Sequence, residues 1–334
     1  MKRVISIVLV AVMLFSLVSC NKKPKEEPKP ANYPTSTQYQ YEHKKITYEP
    51  TENLTTTSLA AVDPGDPNFV PGSLYGDLPK VTFRRSDNDP LTFGLWCWDT
   101  NILFEPSTEA GITCDMLLDI MIQNRINELY LSMLSLMQTA SSIERLGEET
   151  GKFSEMKLRG FIKKCSKYGI KVYALEGTGG PAALAWMEPD NTQVLGFIRR
   201  LGQINANAQS EDEKVAGLHL DLEATLNDPA RKKEESDRRY QMSADFFHRT
   251  KMQCDDAGLV LQYDINGWTK DDQMIMIDNK PIQYMDYLTQ TIDNLTVMAY
   301  RNSAKGQWEE AMTAENSNEM QWSVKNNCNV LVGA

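Results

Sequence analysis

Past Pro90 the chain falls into short apolar runs of β character that alternate with longer amphipathic stretches. Residues 92–98, 126–133, 170–175, 215–223, 259–264, 294–300 and 328–332 read as strands. Between them, residues 114–125, 155–168, 192–208, 230–257, 281–290 and 307–325 carry helical spacing. Tyr168-Gly169 and Ala257-Gly258 put a glycine where a helix ends, just ahead of the next strand. Strand and helix repeat at intervals of about 33 to 45 residues, the pattern of stacked βαβ units around a parallel sheet.

Such a sheet is either closed, as a (β/α)8 TIM-type barrel, or open and doubly wound. No glycine-rich phosphate fingerprint follows the first strand. Polar or aromatic residues close nearly every strand instead: Trp98-Asp99, Ser132, Glu176-Gly177, Asp221 with Glu223, Asp264, and Tyr300-Arg301. In a barrel those ends converge on one mouth, so the α/β barrel is the expected fold. Seven βα units are visible and the last expected unit is missing, so the expectation is a barrel incomplete at its C-terminus, with an irregular or unpaired edge at 328–332. Residues 80–84 are an alternative filler of the gap. The run from Glu176 to Pro181 reads as a flexible loop, too irregular for a phosphate cradle.

The N-terminal part has a different texture. Lys2 and Arg3 precede an apolar run that ends in Leu17-Val18-Ser19-Cys20, too short to span a membrane comfortably. It resembles a bacterial lipoprotein signal peptide over 1–20, which implies a lipid-modified, palmitate-bearing Cys20 and an extracytoplasmic protein anchored to the cell membrane or outer membrane. Residues 21–79 are rich in Pro, Thr, Lys and Glu without a hydrophobic period and read as a disordered or extended tether, leaving 80–334 as the barrel domain. The formal charge is −10, and −12 without Lys2 and Arg3, which excludes nucleic acid as a natural partner but suits neutral sugars. Five cysteines follow Cys20, too scattered for a metal knuckle and odd in number, so a zinc site or disulfide scaffold is not expected.

The chemistry concentrates in Val215–Glu223. Leu218, Leu220 and Leu222 alternate with His219, Asp221 and Glu223, so the three titratable side chains share one face. Two carboxyls two residues apart cannot both ionise cheaply in a confined mouth, which leaves one of them holding a proton near neutral pH. Glu223, longer and nearer the strand end, suits an acid; Asp221, deeper, suits a fixed partner, and His219 is placed to hydrogen-bond Asp221 and is a further candidate substrate contact. The plain alternative is a satisfied core histidine with acids bound to backbone or arginine. Trp98, Trp186 and Trp268 are candidate sugar platforms or ordinary packing mass. Asp99, Glu176, Asp264 and Arg301 are candidate hydroxyl partners or a structural ion-pair set. Asp99, Asp221, Asp264 and Glu223 make only a weak case for a divalent cation, so neither metal nor cofactor is expected.

Gly217–Glu223 on the fourth strand, with Val297-Met298-Ala299-Tyr300 on the sixth, resembles glycoside hydrolase family 18, which places Asp-x-x-Asp-x-Asp-x-Glu and Met-x-Tyr at these strand ends. The chain looks closer still to uncharacterised secreted bacterial barrel proteins with a Trp-x-Trp-Asp first strand. The resemblance implies that Glu223 is a general acid, Asp221 the acid that orients the substrate acetamido group, and Tyr300 a contact to the reacting sugar. Ala216 and His219 stand where the family has its first two acids. The implied activity is retaining hydrolysis of an N-acetylated glycan by a monomer without cofactor. The rival reading is a surface glycan-binding lipoprotein whose hydrolase site has degenerated. A third is a hydrolase of another sugar class, with Asp221 or Asp264 as direct nucleophile.

Overall fold

The computed structural model describes residues 43–50, 92–98, 113–133, 148–226, 232–266, 273–298, 325–326 and 328–333. The strands are β1 (Gly94–Cys97), β2 (Glu128–Ser132), β3 (Lys171–Gly179), β4 (Gly217–Glu223), β5 (Val260–Asn266), β6 (Met274–Ile277), β7 (Lys280–Gln283), β8 (Asn294–Met298) and β9 (Asn329–Gly333). The helices are α1 (Cys114–Gln123), α2 (Glu148–Lys167), α3 (Gly180–Met187), α4 (Gln193–Ala206), α5 (Lys233–Asp256) and α6 (Tyr284–Thr291).

Seven strands form one parallel sheet in the order β1-β2-β3-β4-β5-β8-β9. The order follows the sequence without reversal, so there is no switch point of a doubly wound sheet; each strand is laid beside the last, as in a barrel. The sheet is rolled. In a flat sheet β1 and β5, four strand spacings apart, would stand about 19 Å from each other. Yet the Trp96 indole on β1 lies 3.2 Å from the Asp264 carboxylate on β5. Among the described residues β1 and β9 are the free edges of this sheet, so β9 is paired on one side only.

Alternation along the strands sorts residues between two cores. Leu218, Leu220 and Leu222 of β4, with Leu261, Tyr263 and Ile265 of β5, face the helices and pack with Phe247 of α5 and Ile198 of α4. The opposite face holds Tyr130, Tyr173 and Leu175, with Trp96 and Leu331 against them, in the barrel interior. Thr113 caps α1 by accepting from Met116 N–H at 3.2 Å. Gly169 and Gly258 adopt φ of 72° and 65° behind α2 and α5, the left-handed turn expected of the two helix-ending glycines.

Two elements depart from expectation. Glu176–Gly179 is strand and Gly180–Met187 is helix, with Pro181 in its first turn, so the expected flexible loop there is replaced by a direct β3-to-α3 passage. Its end is held by buried Arg249 of α5, which donates to the carbonyls of Met187 (3.3 Å) and Pro189 (3.0 Å). The hairpin β6–β7 was not expected; Asp278 and Asn279 turn it with φ of 49° and 62°. Within the span expected as a tether, residues 43–50 lie against α4 and α5. The Ile46 amide donates to Asp256 Oδ2 at 2.7 Å, His43 Nε2 is 3.1 Å from the same oxygen, and Gln203 Nε2 donates to the Glu49 carbonyl at 2.8 Å. Residues 1–42, 51–91 and 301–324 lie outside the described residues, and with them Cys20, the leader, residues 80–84 and most of the expected helix 307–325.

Gly217 lets β4 and β5 close on each other: a Cβ there would collide with the Val260 carbonyl oxygen and lie 2.9 Å from the Tyr173 ring. Gly217→Ala therefore costs about 2–3 kcal/mol in urea unfolding; an unchanged midpoint would contradict this packing.

Candidate functional site

A polar spine fills the barrel below the mouth. Glu128 accepts from Tyr130 Oη at 2.8 Å, from Tyr173 Oη at 3.2 Å and from Gln262 Nε2 at 3.3 Å. Burial, then the Glu128 charge, pushes both phenols above their ordinary range, so they stay neutral donors. With its amide oriented in this way, Gln262 presents Oε1 to His219 Nδ1 at 2.8 Å. The Trp96 indole N–H donates at 3.2 Å to both Asp264 Oδ2 and His219 Nε2, while Asp264 Oδ1 stands 2.8 Å from His219 Nε2 and has no hydrogen-bond partner among the described residues. The Tyr130 ring stacks on the imidazole at 4.0 Å between centroids, with the planes 22° apart.

This corrects two expectations for the histidine. His219 is fully buried and turned toward Gln262 and Asp264, so it does not hydrogen-bond Asp221 and is not placed to touch substrate directly. Asp264, 1% exposed, is likewise a member of the spine rather than a group facing sugar. The residues that complete the spine, Trp96, Glu128, Tyr130, Tyr173 and Gln262, were not singled out from sequence. The one available signal was polar residues at inward positions of otherwise apolar strands: Glu128 in β2 and Gln262 in β5.

Above the spine is Asp221. The Leu220–Tyr263 pairing of β4 with β5 sets it one step further on, beside Asp264, and its neighbour across β3 is Gly177. Burial, followed by the carboxylates of Asp264 and Glu223, raises Asp221 from its ordinary 3.8 to about 7, with His219 acting in the opposite direction. Asp221 Oδ1 is buried without a hydrogen-bond partner among the described residues, as is Thr296 Oγ1 on β8, whose strand register places it next to Asp264. Glu223, two residues further along the same face, is exposed to solvent. The turn behind it is tied down by α5: Arg239 Nη1 donates to the Thr225 carbonyl at 2.6 Å and Ser236 Oγ to the Leu226 carbonyl at 3.1 Å.

Trp98 stands at the same rim, 50% exposed, the large apolar side chain that the described residues leave open to water. A Cβ on Gly177 would lie 2.9 Å from the Trp98 ring and 3.0 Å from Asp221 Cβ, so the bare glycine is what lets the indole edge settle beside Asp221. Glu176 goes the other way. It alternates with Tyr173 and Leu175 of the interior and shares the face of Val172 and Ala174, so its carboxyl is directed to the helix side rather than to the mouth. There burial raises it to about 7, against the Gly177 N–H that donates to it at 3.3 Å. Trp186 packs against the outer core rather than the mouth. Asp99, Trp268, Tyr300 and Arg301 lie outside the described residues. Among the described residues no group of three or more His, Cys, Asp or Glu is disposed to hold a metal ion, and no helix is long and apolar enough to cross a membrane.

No protein-family model matches the chain, and no curated protein sequence does. Among solved structures it is similar to a chitinase from Chromobacterium violaceum at 12% identity and TM-score 0.41, over 73% of this chain and 68% of that one. It is similar to a GH26 β-mannanase from Bacteroides ovatus at 11% identity and TM-score 0.42, over 73% and 72%. A D-psicose 3-epimerase from Clostridium cellulolyticum is comparable, at 10% identity and TM-score 0.37 over 72% and 84%. At this level the likenesses assign no residue and no reaction.

A carboxyl raised on folding favours the native state at low pH, and that contribution is lost as pH climbs from the unfolded value near 4 to about 7. Asp221→Asn removes the loss. The variant is expected to be more stable than the parent by about 1–2 kcal/mol at pH 8, discounted for the partial exposure of the site, and no more stable at pH 4. Thermal unfolding at the two pH values measures the difference; equal gains at both would remove the burial argument.

Proposed function

We propose that the chain is a barrel-type glycoside hydrolase acting on an N-acetylated glycan outside the cell. One observation carries this reading: a half-buried Asp221, raised to about 7 and with one oxygen unpartnered among the described residues, sits between an exposed carboxyl, Glu223, and an exposed indole, Trp98. The indole offers a flat apolar face for a sugar ring. The unpartnered Asp221 oxygen suits the N–H of an acetamido group, and so would hold that group's carbonyl oxygen beneath the anomeric carbon. Glu223 then gives its proton to the leaving sugar oxygen as the acetamido oxygen bonds to the anomeric carbon. The carboxylate left on Glu223 takes a proton from the water that opens this cyclic intermediate, which returns the catalyst and retains configuration. Tyr300 completes the reading as a contact to the reacting sugar. Lipidation of Cys20 and residence on the outside of a bacterial membrane belong to the same proposal, supported by the run Leu17–Cys20.

A second reading, binding without turnover, is favoured by the commitment of His219 to Asp264 and by Ala216, which leave Asp221 without an acid behind it on its own strand. Turnover of chitooligosaccharides and N-glycans by the full-length protein separates the two. Glu223→Gln should lower hydrolysis by about 100-fold or more while keeping affinity, whereas equal rates in parent and variant sink the acid assignment. Trp98→Ala should weaken sugar binding by about tenfold in calorimetry; undiminished affinity would place the sugar elsewhere. Binding with no turnover in the parent favours the second reading.

A further inference from the structure

Residues 43–50 fall in a span whose composition promises no core, yet they are fitted to the ends of α4 and α5. Asp256 is the last residue of α5, where the helix dipole disfavours an anion, so its carboxylate needs donors from elsewhere. The Ile46 amide supplies one at 2.7 Å, and His43 Nε2 lies 3.1 Å from the same oxygen, on a side chain only 8% exposed. On α4 the Tyr48 ring lies over Gly202, where a Cβ would come within 2.5 Å of it. A glycine inside a helix weakens that helix, and here the missing side chain is the seat of the tyrosine. Gln203, next along α4, donates to the Glu49 carbonyl at 2.8 Å. Two helices thus hold the segment by backbone, by side chain and by shape.

The seat is at a particular end of the barrel. α4 and α5 run opposite to the strands, and their C-terminal ends lead into β4 and β5 where those strands begin. Gly202, Gln203 and Asp256 belong to that end. Asp221 and Glu223 belong to the other, with Glu223 about 20 Å along β4 from Gly217. From this placement we infer that residues 43–50 are a mooring strap, which makes the chain running towards Cys20 leave the barrel from the face opposite the mouth. The consequence drawn for the membrane rests on the proposed lipid anchor at Cys20. Twenty-two residues separate Cys20 from His43, and a coil of that length has a root-mean-square reach of about 25 Å. α5 alone, with 24 residues, is longer, at about 36 Å. A barrel moored in this way meets the membrane with its strand starts and turns Asp221, Glu223 and Trp98 outward. Its substrate is a glycan standing off the membrane, rather than the sugar headgroup of a lipid in the same leaflet.

The test uses the full-length protein, produced with its own leader in a bacterial envelope and transferred to vesicles that carry an acceptor dye among the headgroups. A donor dye is placed at exposed Ser210, at the strap's end of the barrel, or at exposed Asp190, at the mouth's end. Energy transfer should be about twofold or more stronger from Ser210 than from Asp190, given a helix layer some tens of ångströms tall. Gly202→Val, which unseats Tyr48, should erase that difference and speed exchange of the Ile46 amide by about tenfold or more. Should this variant not fold, Tyr48→Ala makes the same release from within the strap. Equal transfer from both sites in the parent, stronger transfer from Asp190, or a difference that survives release of the strap overturns the inference. Protein that stays out of the vesicle fraction sinks the anchor and the orientation with it, whereas bound protein with Asp190 nearest the acceptor sinks the strap's role alone.

Discussion

A parallel sheet can bring its first and fifth strands within hydrogen-bonding reach only by rolling up, and the contact of Trp96 with Asp264 marks that closure here. The same contact explains the interior. Rolling removes one face of every strand from water, so each inward polar group must find its partner inside. Glu128, Gln262 and His219 do so in sequence, and the Trp96 N–H serves both His219 Nε2 and Asp264 Oδ2. Removing one member leaves the facing polar atoms of its neighbours buried without that partner, a loss of about 1–3 kcal/mol each, which is why the spine is better understood as one unit than as separate bonds.

The mouth is where this satisfaction stops. Asp221 is removed from most of the solvent, its Oδ1 has no donor among the described residues, and desolvation, ahead of its charged neighbours, keeps it protonated up to about 7. Glu223, one pleat further out, is in water, and Trp98 beside it exposes an apolar face of the kind that folding would ordinarily bury. The unpartnered Asp221 oxygen and the open Trp98 indole are two departures from good packing at one rim of the sheet, and the proposed sugar site is built on them.

Much of this was legible in the chain. Each of the seven parallel strands falls on an apolar run, because strands covered by helices on one side and closed on the other need little polar surface. The alternation of His219, Asp221 and Glu223 with leucines gave their common face directly. What alternation does not give is the partner on the neighbouring strand: Gln262 and Asp264 reach His219 from β5, more than forty residues on, in a register with β4 that no local pattern encodes. Glu176 shows the opposite failure. Its place at a strand end resembled that of the other polar residues, but its parity, matched to Val172 and Ala174, assigned it to the helix side. The hairpin had a local signal in Asp278-Asn279, obscured by the short spacing of its strands.

The most direct measurement is a crystal structure of the Glu223→Gln protein with a bound chitooligosaccharide. The account predicts a sugar ring lying flat on Trp98 with its acetamido nitrogen within hydrogen-bonding distance of Asp221 Oδ1. A sugar held away from this rim, or one whose acetamido group points to solvent, would contradict it.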